Sequence, residues 1–523
     1  MPVHLRALIV LLVFAGIVFA MSRRAATEYC IDEADFNRRR NLWFIITCIA
    51  FIAHNFWLFI ILSAMVILMV RREEHNPLAM YAVIMFAVPP ISSKVPGFGL
   101  FNQLLDFDYT RLTSLTLLLP AYFIYRREAK ANGEGWNYAD LCLLLYILVQ
   151  LGIRFSVDTA TNTLRYTLYA IVDVGLPYYV ASRSLRSAKS YRDVFMSFTL
   201  AALLLGLVAV FEAVKYWLLY GDLIHALGLK WGYSNYLARS ALLRAQGPTG
   251  QPLVLGCIFV VAIGLYLGVQ RYVVENKRVW WLGLLLLFGG LVATVSRGPW
   301  VGAFLALIVF RLAGPKALGS LFKSAIVLGL IAGLVMASPL RDAVIDHLPF
   351  VGTVEAENVV YRQRMLESSI QIILQNPWFG SSDYVYQLVD MDLVIGGMVD
   401  IVNSYVAIGL ANGLVGLGAF MGVFLLAGLS IIWSMRKLPV PDCEERTIGQ
   451  ALLAALVGIA FTIGTVSSIS FIPLLYWFLA GLCVGYSNMV KRAIESAPVP
   501  EALSEPVLRP RTFRGAASWS RTT

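Results

Sequence analysis

The run LGLLLLFGGLVATV (282–295) and a second, LLLGLVAVF (203–211), belong to apolar stretches near the ~20 residues that a helix needs to cross a bilayer. Nothing constrains this chain more. Of its 523 residues, 59% are hydrophobic and 14% charged, against roughly 25% charged in a soluble domain. The runs are apolar on every side rather than alternating, which excludes a β-barrel. The sequence predicts an all-α polytopic membrane protein of about 12–14 transmembrane helices by the length criterion. One run breaks at Arg297, in VSRGPW (295–300), and resumes beyond it. A guanidinium beside hydrocarbon is costly unless it meets water, a counter-charge or an anionic ligand.

Lys and Arg favour cytoplasmic loops, so their distribution orients the spans. The strongest anchor is SRSLRSAKSYRD (182–193), with four basic residues and one acid. YRREAKANGEG (125–135), QRYVVENKRVW (270–280), RLAGPKALGSLFK (311–323), MRKL (435–438) and the tail from Lys491 carry the same sign. With all of these inside, spans close over 77–90, 111–125, 138–155, 164–182, 193–217, 251–270, 279–296, 298–311, 319–338, 401–433, 448–469 and 471–490. The outer face then receives 218–250, the turn at Arg297 and the segment 339–400. The N-terminus fits less well: a single span over 41–70 would put the five arginines of RRAATEYCIDEADFNRRR (23–40) outside, although four acids nearly balance them. The expected divisions are N-terminal helices over 1–240, a core over 241–435, C-terminal helices over 436–490 and a disordered cytoplasmic tail over 491–523. The net charge of +10 reads as topology, not nucleic-acid binding, and the six scattered cysteines suggest neither disulfides nor a metal site.

Three outer features could carry chemistry. LLRAQGPTGQP (242–252) places Arg244 in a Gly/Pro-rich turn just before a span, and SRGPW places Arg297 at the tip of a tight hairpin. Arginine presents a fixed fork of donors matched to phosphate oxygens, although interfacial arginines also snorkel without function. The third is VVYRQRMLESSIQIILQNPWFG (359–380), with Val359, Leu366, Ile370 and Ile373 on one helical face, Arg364, Ser368, Gln371 and Gln375 on the other, and a stop at Asn376-Pro377. Such a helix lies on a membrane surface or roofs a cavity, unless it merely links two spans. DIVNSYVAIGLANGLVGLGAF (400–420) follows, with glycines spaced for close packing. Asp173, Glu212 and His54 are ionisable groups inside apolar sequence, each a functional candidate. Asp173 could equally bond a neighbouring helix, and Glu212 could pair with Arg244 or Arg297.

RAQGPTGQPLVLG resembles the R-x-x-G-x-x-x-x-P stretch of bacterial O-antigen ligases and Wzy-type polysaccharide polymerases. VSRGPWVG is similar to their S-R-G-x-x-x-G motif, YRQRML…ILQNPWFG to their periplasmic arginine-to-P-h-x-G segment, and VNSYVAIGLANGLVGLGAF to the H-N-x-Y-L stretch that follows. The resemblance covers roughly 242–420. It implies a GT-C-like, inverting, metal-independent glycosyltransferase of the bacterial inner membrane, needing no cofactor and working at the periplasmic face on an undecaprenyl-diphosphate-linked glycan. Arg297 and Arg244 would then stabilise the diphosphate leaving group. Arg362, Arg364, Asn403, Tyr405 and Glu212 would bind substrate. Membrane lipids and a polysaccharide co-polymerase are the other expected partners.

One departure bears on mechanism. The family's histidine before Asn-x-Tyr is Val402 here, and valine cannot take a proton. Either another group serves, with Asp400, Asp383 and Glu367 the nearest carboxylates and Asp400 the expected catalytic one, or no strong base is needed. Because that histidine is most associated with ligases, its replacement favours a polymerase that lengthens a lipid-linked chain over a ligase that transfers glycan to lipid A core. A transporter or flippase is the rival class, but the internal repeats common in transporters are not evident and the arginines cluster at one face. The orientation has a direct check. A cysteine at Ser381 should react with an impermeant thiol reagent from outside and one at Ser187 should not; labelling at Ser187 from outside would reverse the whole assignment.

Overall fold

Helices built from these apolar runs account for the architecture. The computed structural model describes residues 1–97, 103–133, 135–230, 235–239, 242–273, 277–315, 319, 356–394 and 399–495. Among them, seven helices are long and apolar enough to cross a membrane: Val3–Tyr29, Tyr138–Val157, Ala188–Lys215, Pro252–Gln270, Ser404–Lys437, Glu444–Ile463 and Ile472–Glu495. Phe56–Val70, Lys277–Ala293 and Arg297–Leu312 are also apolar but run 15, 17 and 16 residues. The protein is an all-α multi-pass membrane protein, as the sequence predicts. The span expected over 319–338, the loop portion 339–355 and the tail 496–523 lie outside the described residues.

A helix apolar all round belongs inside a bundle. The Pro252–Gln270 window is 94% buried, and those of Ala188–Lys215 and Ile472–Glu495 are 83% buried, so these three form the centre. Val3–Tyr29 and Tyr138–Val157, at 33% and 22%, stand at the periphery facing the surroundings.

Small residues let the central helices approach, since hydrocarbon gives no hydrophobic drive between them. Gly264 and Gly268 of the Pro252–Val273 helix lie against Ala455 and Ala451, and Gly290 lies against Gly206. Gly298 and Gly302, the two glycines of the SRGPWVG stretch, face Thr465 and Thr462. That motif is therefore a packing surface as well as a carrier of Arg297.

The N-terminal puzzle resolves in an extra turn. The single span considered over 41–70 is instead a helical hairpin, Glu33–Ile52 and Phe56–Val70, broken at 53–55. His54 takes a left-handed φ of 52° there, and the Asn55 side chain accepts from the N–H groups of Trp57 and Leu58 to start the second helix. His54 thus sits in a turn and not inside a span. Both ends of the hairpin meet a buried ionic cluster. Arg39 bonds Asp193, Ser197 (2.9 Å) and Glu74 (2.6 Å), while Asn76 donates to Asp193 (3.0 Å). Lys189 bonds Asp32 at 3.0 Å. Residues 23–40 therefore share an end of the bundle with 182–193, which removes the charge conflict.

Asp173 has a partner from another helix. It accepts from Arg111 Nε at 3.1 Å and Nη2 at 2.8 Å, with the Arg111 guanidinium 3.8 Å over the Tyr169 ring.

In the 381–394 segment Ser381 is buried, whereas Tyr386 is 74% exposed and makes the better labelling position for the outer loop. The glycine contacts set a stability test. A Cβ at Gly302 would overlap the Thr462 hydroxyl and stand 2.9 Å from the Gly458 carbonyl oxygen, whereas one at Gly418 meets nothing within 4 Å. Gly302→Ala should cost roughly 1–3 kcal/mol through overpacking, lowering the melting temperature in detergent, while Gly418→Ala should leave it unchanged or raise it.

Candidate functional site

The Lys277–Ala293 and Arg297–Leu312 helices are joined by Thr294, Val295 and Ser296. Thr294 turns its hydroxyl back onto the Leu291 carbonyl at 2.7 Å, and the Trp300 indole donates to the same carbonyl at 3.0 Å. Val295 has φ 47°. A β-branched residue in the left-handed region is strained and persists only where its surroundings over-determine it. Here they do. The Ala245 N–H donates to the Ala293 carbonyl at 2.9 Å, Arg239 to the Val295 carbonyl at 3.3 Å, and Arg244 to the Thr294 carbonyl at 3.2 Å and the Ser296 hydroxyl at 3.1 Å. Arg297, half-buried, is the first residue of its helix, where the N-terminal end of the helix dipole favours an anion. Arg239, Arg244 and Arg297 thus gather on one turn.

Glu212 supports this arrangement from below. Its carboxylate, fully buried, accepts from the N–H groups of Leu219 (3.0 Å), Gln246 (2.9 Å) and Gly247 (2.9 Å). The described partners of Glu212 are backbone amides, not the guanidinium expected from sequence, because the 218–250 loop folds back over the helix end. Glu212 holds the loop that carries Arg244.

A second group forms around the start of the Ser404–Lys437 helix. Asn403 caps it, accepting from the N–H of Tyr405 (3.0 Å) and Val406 (3.3 Å). Ser404 bonds the Val466 carbonyl (2.8 Å), Ser468 bonds Ser404 (2.7 Å), and Ser467 donates to the Asp400 carboxylate and the Ile401 carbonyl, both at 2.9 Å. The stretch TVSSIS (465–470), unremarked in the sequence reading, stitches Asp400 to the end of the Glu444–Ile463 helix. Its short hydroxyl residues before an apolar run were the available signal. A cavity of about 170 Å³ lies here, lined by Tyr361, Arg362, Met365, Asp400, Val402, Asn403 and Thr465 among others. Thr465 also packs on Gly298, one residue from Arg297, so the two groups are neighbours.

The remaining candidates are dispersed. Arg364 is exposed and does not line that cavity. Tyr405 turns its hydroxyl to the Ala460 carbonyl (2.6 Å). Among the carboxylates, Glu367 accepts from Gln363 at 3.0 Å, and Asp383 accepts from the Ser381 hydroxyl. That bond, with help from Gln387, holds the Asp383 carboxyl below its ordinary range and makes it a poorer base.

The helix over Ala356–Gln375 is present and amphipathic, and its apolar residues meet two different surroundings. Met365, Ser369 and Ile372 are buried, whereas Leu366 and Ile370 are 45% and 48% exposed. The helix docks on protein through a small cluster with Leu388, Leu393 and Leu410, and presents the Leu366–Ile370 stripe outward. Beyond Pro377 the chain inserts into a kink of the Ser404–Lys437 helix at Gly413, φ 63°. There the Leu414 N–H donates to the Pro377 carbonyl (2.7 Å), Val415 to Trp378 (3.2 Å), and Ser381 to the Leu410 carbonyl (2.8 Å). Gly380, φ 74°, lies so close that a Cβ would come 2.7 Å from the Gly413 nitrogen. The P-h-x-G and N-G elements of the sequence are two halves of one joint.

Fold and site together define a multi-pass membrane protein with an arginine-flanked polar site at one end of its bundle. A family model described as O-antigen ligase matches residues 282–421, which supports an O-antigen ligase/polymerase-type family for that segment. This is a membrane glycosyltransferase-like class whose members act on lipid-linked glycan and lipid substrates. No curated protein matches the chain. Arg297, Arg362, Asp400 and Asn403 fall inside the matched segment; Arg244 and Glu212 lie outside it and reach it through the contacts above.

The two carboxylates separate in a kinetic test. Asp400→Asn should lower turnover by roughly 10²-fold, in the range for a lost general base, with little effect on donor binding. Asp383→Asn should retain near-full turnover; full activity in Asp400→Asn would remove that carboxylate from the chemistry.

Proposed function

We propose that this protein is a polysaccharide polymerase of the inner membrane, using a glycan on undecaprenyl diphosphate as donor at the periplasmic face. The observation that carries the reading is the grip of Arg244 on Thr294 and Ser296, which sets a second guanidinium beside the turn bearing Arg297. A diphosphate is the ligand this chemistry favours, since it offers several anionic oxygens to donors in a partly dry site.

The reaction is a displacement at the anomeric carbon. A hydroxyl oxygen of the acceptor forms the new glycosidic bond as the carbon–oxygen bond to the diphosphate breaks. The bonding pair leaves on the phosphate oxygen, where Arg297 and the helix N-terminus stabilise it. The hydroxyl proton passes to Asp400, which Ser467 holds at the edge of the small cavity. Attack from the face opposite the leaving group inverts the centre. Arg362 and Asn403, lining the same cavity, orient the acceptor. Val402 at the family's histidine position supports lengthening of a lipid-linked chain over transfer to lipid A core.

Arg297→Ala should abolish polymer while leaving the protein's amount in the membrane unchanged, and Arg297→Lys should also be strongly impaired, because an ammonium lacks the two-donor fork. Each lost charged contact to the diphosphate is worth ~1.5–3 kcal/mol, or about ten- to a hundredfold. Arg244→Ala should fall as well, and the double variant should lose less than the sum if both serve one diphosphate. Polymer length on a gel, beside a membrane-fraction blot, reads this. Normal polymer from Arg297→Ala would sink the catalytic assignment, and movement of lipid-linked sugar without lengthening would mean a flippase.

A further inference from the structure

A larger polar cavity, about 530 Å³, opens between the Tyr138–Val157 helix, the 158–174 stretch and the 381–384 segment. Its volume is that of a ligand pocket, roughly 300–1,000 Å³, and neither arginine of the proposed reaction lines it. Its walls pair planar polar groups with aromatic faces. The Arg154 guanidinium lies 3.4 Å from the centre of the Tyr166 ring and 3.4 Å from Asp158; Gln150, Tyr384 and Asn412 add amide and phenol groups. Asp173 closes one side, on a single π-helical turn, Ala170–Gly175. Such bulges are rare and recur at functional sites.

We infer that this cavity holds the saccharide chain of the acceptor, several sugar units from its reacting end. Charge decides the ligand class. Arg154 is matched by Asp158 and Arg111 by Asp173, so the cationic groups are neutralised within the wall. A phosphate would meet carboxylates as readily as guanidiniums. A neutral polyhydroxylated ligand meets paired donors and acceptors together with the Tyr384 ring, while Tyr166 and Tyr169 each carry a guanidinium on one face.

Position points the same way. Asp173 also lines a second cavity of about 350 Å³, shared with Arg111, Thr249, Gln251 and Ser470. Thr249 follows the Arg244 loop, and Ser470, which contacts the Thr249 carbonyl at 3.4 Å, ends the stretch whose Ser467 holds Asp400. The polar space therefore leads from the 530 Å³ cavity toward the proposed reacting centre. Arg154, Asp158, Tyr166 and Asp173 lie outside the segment matched by the family model, so this wall belongs to this chain's own N-terminal half.

The inference rests on the transferase reading, and the test separates the two. Full-length protein in nanodiscs is titrated with free oligosaccharides of one, two and four repeat units cut from the cell's own polymer. Turnover with acceptors of the same lengths is measured beside it. Wild type should bind the four-unit chain more tightly than one unit. Tyr384→Ala and Gln150→Ala should each raise KM for the long acceptor by about five- to tenfold, the worth of one lost stacking or hydrogen-bonding contact, with kcat and the one-unit rate unchanged. Tyr384→Phe should restore binding if the ring is what the sugar meets. Equal loss with short and long acceptors, no length dependence in wild type, or competition by inorganic phosphate would each overturn the saccharide site. If Arg297→Ala still lengthens chains, the transferase reading fails whatever the titration gives; if it does not and length preference survives both cavity variants, only this inference falls.

Discussion

A carboxylate buried inside a membrane bundle must be satisfied, and Glu212 is satisfied by three backbone N–H groups of a loop that would otherwise be loose. Isolated, such a charge would cost several kcal/mol. With three donors converging on it, the cost becomes a constraint: residues 219, 246 and 247 cannot leave without stranding it. The geometry of the Arg244 loop follows, then the hold of Arg244 and Ala245 on the 293–296 turn, then the left-handed Val295 and the helix start at Arg297. The proposed chemistry stands at the end of that series of contacts.

The apolar runs were legible because the bilayer sets their length and composition directly. Other features were not, for physical reasons that differ from place to place. The hairpin over 33–70 depends on a left-handed His54 and an Asn55 cap inside a continuous apolar stretch, and a window average passes over both. Apolar residues of a soluble protein have one destination, and their spacing alone does not say which surface Leu366 and Ile370 meet. Beside a membrane they have two, and here Met365 and Ile372 pack on protein while the stripe faces out. Arg111 and Asp173 are 62 residues apart, so their pairing is invisible to any local pattern.

Of the candidate site, the arginines, Asp400 and Asn403 were readable through short motifs, and the structure explains why those motifs are short. SRGPWVG combines a strained turn with two glycines that seat it on Thr462 and Thr465. The Ser467 contact to Asp400 escaped notice because a serine in a hydroxyl-rich linker carries no signal until its partner is known. Glu212 was singled out correctly as exceptional, yet what it satisfies is the main chain rather than a guanidinium.

The joint at Gly413 has a mechanical consequence. A kinked helix normally leaves carbonyl and amide groups without partners at the bend, and here the 377–381 turn takes them up. The 377–381 turn and the span therefore share main-chain hydrogen bonds across residues 410–415. Displacing that turn would strand main-chain groups of the span that begins after Asn403, so the turn and the kink hold each other in place.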